Sequence, residues 1–116
     1  MRKLEIGTEK YTQVFACDEK EFNANHKYSV STTEEPSTIL QVVDFQKGAI
    51  KEFGVNGIMN EDLIAMVIDR LQSFQNSPYN CRENSIAITK LEESLMWLRK
   101  RTQDRERRNV EGTNTI

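Results

Sequence analysis

Apolar positions change their spacing once along the chain, near residue 58. Before it they fall in short runs that suit strands. Tyr11-Thr12-Gln13-Val14-Phe15-Ala16-Cys17 is rich in aromatic and β-branched residues and ends at charged Asp18-Glu19-Lys20. Residues 22–26 read as a turn built on Asn23 and Asn25, which tolerate left-handed backbone. Tyr28-Ser29-Val30-Ser31-Thr32 alternates and predicts a half-buried strand, which Glu34-Glu35-Pro36-Ser37 breaks. Residues 38–46 are apolar on both faces through Ile39, Leu40, Val42, Val43 and Phe45, which predicts the central strand. Lys47-Gly48 turns the chain, and Ala49-Ile50-Lys51-Glu52-Phe53 is expected to return as its antiparallel partner. Gly54 and Asn56-Gly57 then close the sheet, by positive φ, by close backbone approach or as a plain connection.

After residue 58 the spacing becomes helical. Asn60-Glu61-Asp62 is a helix start, an N-cap candidate followed by acids that suit the positive helix end. Leu63, Val67, Leu71 and Phe74, with Ile64 and Ile68 beside them, form a stripe expected to face the sheet. This helix stops before Ser77-Pro78-Tyr79. A second one opens at Asn80-Cys81-Arg82-Glu83, a capping box with Asn80 in the usual place of Ser or Thr. Ala87, Leu91, Leu95 and Leu98 form its seam, widened by Ile88. The short connection predicts an antiparallel hairpin. The fold class is therefore α+β: an N-terminal antiparallel β-sheet followed by a C-terminal antiparallel helical hairpin with a long second helix. We expect one domain over residues 1–116, divided into a sheet part at 1–58, the hairpin at 59–109 and a tail at 110–116.

Length changes how the second helix is read. Residues 81–108 would span about 42 Å as a helix, whereas a domain of this size has a radius of gyration of only about 13 Å. Its end must project past its own core or lie against another chain. With 37% hydrophobic residues in 116, the core is thin, which also favours completion by a partner subunit.

Net charge is −2, which gives no global pull toward nucleic acid or membrane. Within residues 99–108, however, Arg99, Lys100, Arg101, Arg105, Arg107 and Arg108 face only Asp104 and Glu106, a local bias toward an anionic ligand. Trp97, Arg101, Arg105 and Arg108 recur at helical spacing on one face. A ring that stacks on a base beside guanidinium forks that pair with phosphate would suit a nucleotide. The same face would also serve as a solvated basic surface with Trp97 as a core anchor, since cations suit a helix C-terminus.

Other chemistries find no support. Cys17, Cys81 and the one histidine, His26, make no metal-ligand spacing, so no metal is expected, and reduced thiols are a simpler reading than one disulfide. Met1-Arg2-Lys3-Leu4-Glu5 lacks the apolar core of a signal peptide. No apolar run approaches the roughly 20 residues of a membrane span. A soluble intracellular protein is expected. His26 has no serine or cysteine motif around it, glycine-rich phosphate loops are missing and the carboxylates are scattered. We expect no catalysis and no cofactor.

Several short motifs taken in order resemble one phage family. They are Phe45-Gln46-Lys47-Gly48, Gly54-Val55-Asn56-Gly57, Asp69-Arg70-Leu71, Phe74-Gln75, Glu83-Asn84, and the set Arg105, Arg108, Val110-Glu111-Gly112-Thr113. Over residues 27–113 the chain is similar to the Thoeris anti-defence sponge proteins, whose helical hairpin is shared with anti-CBASS cyclic-nucleotide sponges. The resemblance implies a non-enzymatic binder that sequesters glycocyclic ADP-ribose made by TIR-domain enzymes. It also implies a separate pocket for cyclic oligonucleotides, notably trinucleotides. Symmetric homo-oligomers are implied too, dimers or hexamers built from dimers, acting in the cytoplasm of the infected host. By the same resemblance Phe74 would stack on adenine and Asn84 would hydrogen-bond the ribose or base edge. Phe15 or Tyr11 would bring an aromatic to the messenger pocket, joined by Arg108 and Thr113, while Arg101 and Arg105 would contact phosphates of the cyclic oligonucleotide.

Two other functions compete. A small nucleic-acid-binding regulator would use the basic helix end, but such proteins carry a broader positive surface than this chain. An enzyme that degrades the signal would need His-centred motifs that are missing here.

Overall fold

The computed structural model describes residues 1–7 and 9–116. The chain divides into two compact units, Met1–Ile58 and Met59–Ile116.

The first unit is a four-stranded antiparallel sheet in the order β1-β2-β3-β4, with β1 at Arg2–Lys3, β2 at Thr12–Ala16, β3 at Lys27–Thr32 and β4 at Ile39–Asp44. β2 and β3 are joined through a tip where Phe22 and Asn23 both take positive φ. β4 follows β3 after the Glu34–Pro36 break. It lies at the end of the strand order rather than in its centre, with Ile39 65%, Leu40 54% and Val42 41% exposed. An apolar run reads alike for a covered central strand and an uncovered edge.

Burial on β3 is also the reverse of its hydropathy. Ser29 and Ser31 are buried while Tyr28 and Val30 are only partly so. Register explains this. Ser29 is flanked across the sheet by Phe15 and Val42, and Ser31 by Gln13 and Ile39, so small residues sit between large same-face neighbours. Their hydroxyls are satisfied, Ser29 by the Cys17 thiol and Ser31 by the Gln13 amide.

The expected return strand at residues 49–53 is instead a single helical turn, α1 (Ile50–Phe53). Its cause is a side-chain stitch. Gln46 donates to the carbonyls of Gly48 and Gly54 and accepts the N–H of Asn56. Asn56 in turn bridges the N–H and C=O of Lys47 at 2.8 Å each. With both ends of the loop tied together, the residues between close into one turn, in which the N–H groups of Glu52 and Phe53 donate to the Ala49 carbonyl. The chain leaves through a parallel bridge between Phe45 and Ile58. At Gly57 a Cβ would lie 2.4 Å from the Phe45 carbonyl, so this glycine serves close backbone approach.

The second unit is the helical hairpin, α2 (Asn60–Gln75) and α3 (Arg82–Arg107). α2 starts one residue earlier than its polar signal suggests. Met59 is the N-cap, and its N–H donates to Asp62 at 2.8 Å. The face of α2 that packs is centred on Ile68, with Leu71 and Gln75 beside it, while Val67 stays 45% exposed and Phe74 36%. On α3 the expected seam of Ala87, Ile88, Leu91, Leu95 and Leu98 is the half-buried stripe.

Candidate functional site

The turn between α2 and α3 is held by Gln75. Its carboxamide accepts the N–H of Cys81 at 3.0 Å and donates to the Cys81 carbonyl at 2.9 Å and to the Ser85 hydroxyl at 2.8 Å. This replaces the expected Asn80 capping box: Cys81 is the N-cap, without a side-chain cap bond, and the Asn80 amide donates to Ser77 instead. The last residue of α2 thus holds both backbone groups of the α3 N-cap and satisfies one of the free N–H groups at that helix start.

Phe74 and Asn84 are the chain neighbours of the two clamped residues, Gln75 and Ser85. The Gln75–Ser85 bond therefore sets the relative position of their backbones. Phe74 presents a partly exposed ring, with the Arg70 guanidinium carbon 5.3 Å from its centroid. That distance is a cation–π contact, which orders the ring. Asn84 lies half-buried on the same stripe as Ile88, Leu91 and Leu95. A polar amide at the start of the α3 seam and an exposed aromatic at the end of α2 offer one hydrogen-bonding and one stacking group.

The other candidate cluster forms at the end of α3. Asn109 takes φ 58 as the residue after the cap, and Val110 and Asn109 bond back to the carbonyls of Arg105 and Glu106. This is a Schellman stop with asparagine in the left-handed place. Residues 110–113 then make a turn closed by Thr113 N–H on the Val110 carbonyl at 3.1 Å, with Gly112 at φ 75. The hydroxyl of Thr113 donates to the same carbonyl. Arg105 locks the turn: its Nη2 donates to the carbonyls of Val110 and Thr113, both at 3.1 Å. Arg108 reaches the backbone oxygen of Ile116. Arg101 is exposed and has no ion-pair partner among the described residues. Asp104 draws off Lys100, at 3.4 Å, and Arg107.

The sequence-predicted residues thus separate into two groups. Phe74 and Asn84 flank the turn between the helices, whereas Arg101, Arg105, Arg108 and Thr113 gather at the far end of α3. Asn84 and Arg101 are about 26 Å apart along one helix, too far for one small-molecule pocket in a single protomer. Phe15 is the last residue but one of β2, half-buried between Lys3 and Ser29 in register, in the other unit. Tyr11 is 74% exposed with Lys10 over its ring. Two residues that organise the sites escaped the sequence reading in that role. Gln75 was visible only as part of Phe74-Gln75, and Asn109 only as an asparagine after a helical run.

A family model described as "Acb2/Tad1, hairpin domain" matches residues 37–103. That span holds Phe74, Asn84 and Arg101, and lies between Phe15 on one side and Arg105, Arg108 and Thr113 on the other. The chain is also 49% identical to "Thoeris anti-defense 1" of Bacillus phage SBSphiJ7, over an alignment of 140 positions covering 98% of this chain and 99% of that protein.

Proposed function

Because this chain belongs to the Acb2/Tad1 hairpin family, and with it to the Thoeris anti-defence proteins, we propose that it is a phage counter-defence sponge. It binds glycocyclic ADP-ribose made by TIR-domain enzymes and keeps it from its effector without degrading it. The observation that carries this reading is the similarity to a Thoeris anti-defence protein, 49% identical, over nearly the whole length of both chains. The reading includes a separate place for cyclic oligonucleotides, notably trinucleotides, assembly of the chain as a dimer or a hexamer of dimers, and action in the host cytoplasm.

The chemistry assigned to each residue suits its place. Phe74 stacks on adenine, a contact worth about 1–3 kcal/mol per base. Asn84 bonds the ribose or base edge at the mouth of the seam, and Phe15, Arg108 and Thr113 complete the messenger's surroundings from other parts of the assembly. Arg101 and Arg105 take the phosphates of the cyclic oligonucleotide, Arg101 with its whole guanidinium and Arg105 with the donors left after Nη2 is committed to the tail. A sponge requires tight, pre-organised binding and no complementarity to a transition state. A hairpin turn fixed by three hydrogen bonds at the Gln75 carboxamide, two donated and one accepted, suits that need.

The test is retention. The protein is incubated with glycocyclic ADP-ribose, freed of unbound ligand and denatured by heat, and the released material is assayed. Intact messenger is expected. An altered product would make the protein an enzyme, and no retention would remove the messenger from its ligands.

A further inference from the structure

Near the end of α2, Phe74 has a fixed backbone and a side chain partly in solvent. Its carbonyl accepts the Ser77 N–H at 3.1 Å, and the next residue, Gln75, is clamped to Cys81 and Ser85. Its ring makes no aromatic pair among the described residues. Two χ1 rotamers are open to a phenylalanine on a helix, so a ring in this state turns between them unless a neighbour holds it.

Arg70 is that neighbour. It stands four residues earlier, with its guanidinium carbon over the Phe74 ring at 5.3 Å from the centroid. Helix neighbours lie three and four residues apart, and for Arg70 these are Met66, Val67, Ser73 and Phe74. None is an acid, and Arg70 makes no ion pair among the described residues. Lys100 and Arg107, by contrast, are both drawn to Asp104. The ring is the partner that α2 offers this cation.

A phenyl ring has two faces. With a guanidinium over one, a base can stack only on the other. The cation also draws π density toward itself, and the open face, left poorer in electrons, favours an electron-rich purine laid upon it. The resulting order is guanidinium, ring, base.

We propose that Arg70 is a positioning residue of the messenger site: it holds one face of Phe74 and so presents the other, in a fixed direction, to a single adenine. The proposal rests on the sponge reading above, in which Phe74 stacks on adenine. It adds the group that readies the ring before the ligand arrives, and a limit of one base for each Phe74. A ring ordered in advance need not be ordered at the expense of binding.

The test uses the full chain as wild type, Arg70→Gln and Arg70→Lys. Isothermal titration with glycocyclic ADP-ribose gives the affinities. NMR of ring-labelled phenylalanine, assigned with Phe74→Leu, gives the rotamers of Phe74 in the ligand-free proteins. Arg70→Gln should weaken messenger binding by about two- to fivefold, the worth of one exposed cation–π contact, and should let Phe74 populate a second rotamer. Arg70→Lys keeps a cation and should recover part of both effects. Unchanged affinity in Arg70→Gln would overturn the proposal. So would a loss of affinity with Phe74 as ordered as in wild type, because Arg70 would then act on the ligand itself or on α2 as a whole. A wild type that binds no messenger would overturn the sponge reading, and this role with it. Should Arg70→Gln fail to fold, Arg70→Lys against wild type carries the same comparison with a smaller expected loss.

Discussion

The guanidinium of Arg105 reaches eight residues forward and donates to the carbonyl of Thr113 at 3.1 Å, from the same Nη2 that holds the Val110 carbonyl. One arginine thus bonds two backbone acceptors of a turn that its own helix leads into. A charged donor of this kind contributes about 1.5–3 kcal/mol. Arg105→Ala should release residues 110–116, seen as faster amide exchange there with α3 still protected. Gly112→Val would strain the turn at φ 75 and release the same segment while keeping the arginine. If Arg105 acts on ligand phosphate directly, Arg105→Ala weakens cyclic trinucleotide binding more than Gly112→Val does. Equal losses would assign the effect to the tail.

Gly57 offers a sharper test of the sheet unit. A Cβ there would lie 2.4 Å from both the carbonyl carbon and the oxygen of Phe45, and 2.7 Å from the Asp44 oxygen. Those are backbone atoms, so nothing flexible yields. Gly57→Ala should destabilise the fold by about 3 kcal/mol, the upper end of overpacking costs. Denaturant unfolding would measure it, and a loss under about 1 kcal/mol would show that residues 44–45 shift freely.

Gln75 joins stability to the proposed site. Removing its carboxamide leaves the Cys81 N–H and the Ser85 hydroxyl without their partner, and the Cys81 carbonyl with only the Ser85 N–H at 3.3 Å. Gln75→Ala should cost about 1–2 kcal/mol, since these bonds are exposed and each contributes roughly 0.5–1 kcal/mol. Because Phe74 and Asn84 adjoin the clamped pair, messenger retention should fall as well, while Phe74 and Asn84 are untouched in sequence. Gln75→Glu keeps the acceptor for Cys81 N–H and should recover part of both losses.

Much of this architecture is legible in the chain, and the misreadings have physical causes. The switch of spacing near residue 58 marks the end of the sheet unit and the start of the hairpin. Leu91, Leu95 and Leu98 lie on the half-buried seam that their spacing predicts. Residues 49–53 mislead because a turn held by the side chains of Gln46 and Asn56 leaves no periodic trace. The apolar strand at Ile39–Asp44 misleads because hydropathy does not state whether a cover is present. At the candidate site, Phe74 is 36% exposed and Asn84 is half-buried, a difference that neither residue's place in its apolar stripe foretells. The arginines look interchangeable in sequence, yet Arg105 and Arg108 hold the tail while Arg101 is free of ion pairs among the described residues.

Asp18 gives the sheet unit an acid limit. Partial burial works against its ionisation, but the N–H groups of His26 and Lys27 and the Asn25 amide outweigh it and hold the carboxyl below its ordinary value of 3.8. A depressed carboxyl pKa adds stability that is complete above the unfolded value and is lost as pH falls through the folded one. Thermal unfolding should therefore be level from neutral pH to about 5 with respect to this group, and then decline below about pH 4. Asp18→Asn should lower the neutral-pH melting temperature and flatten that decline. An acid slope unchanged in the variant would place its origin in other carboxylates.

The two ends of α3 predict a separation of ligands. Asn84 lies half-buried beside the Gln75 clamp, and Arg101 stands exposed about 26 Å farther along the helix. If the messenger occupies the turn between the helices and cyclic oligonucleotides the basic end, each substitution should disable one ligand and spare the other. Asn84→Ala should abolish retention of glycocyclic ADP-ribose, because a buried polar contact left unmade costs more than its net worth when present. The same variant should keep its oligomeric state and its affinity for a cyclic trinucleotide. Arg101→Ala should lower trinucleotide affinity and the steepness of its salt dependence, since one phosphate-pairing cation is removed, and should leave messenger retention intact. Isothermal titration with both ligands on both variants measures all four terms. Parallel losses in the two variants would require a single pocket built from both ends of α3, which only chains crossing in an assembly could form.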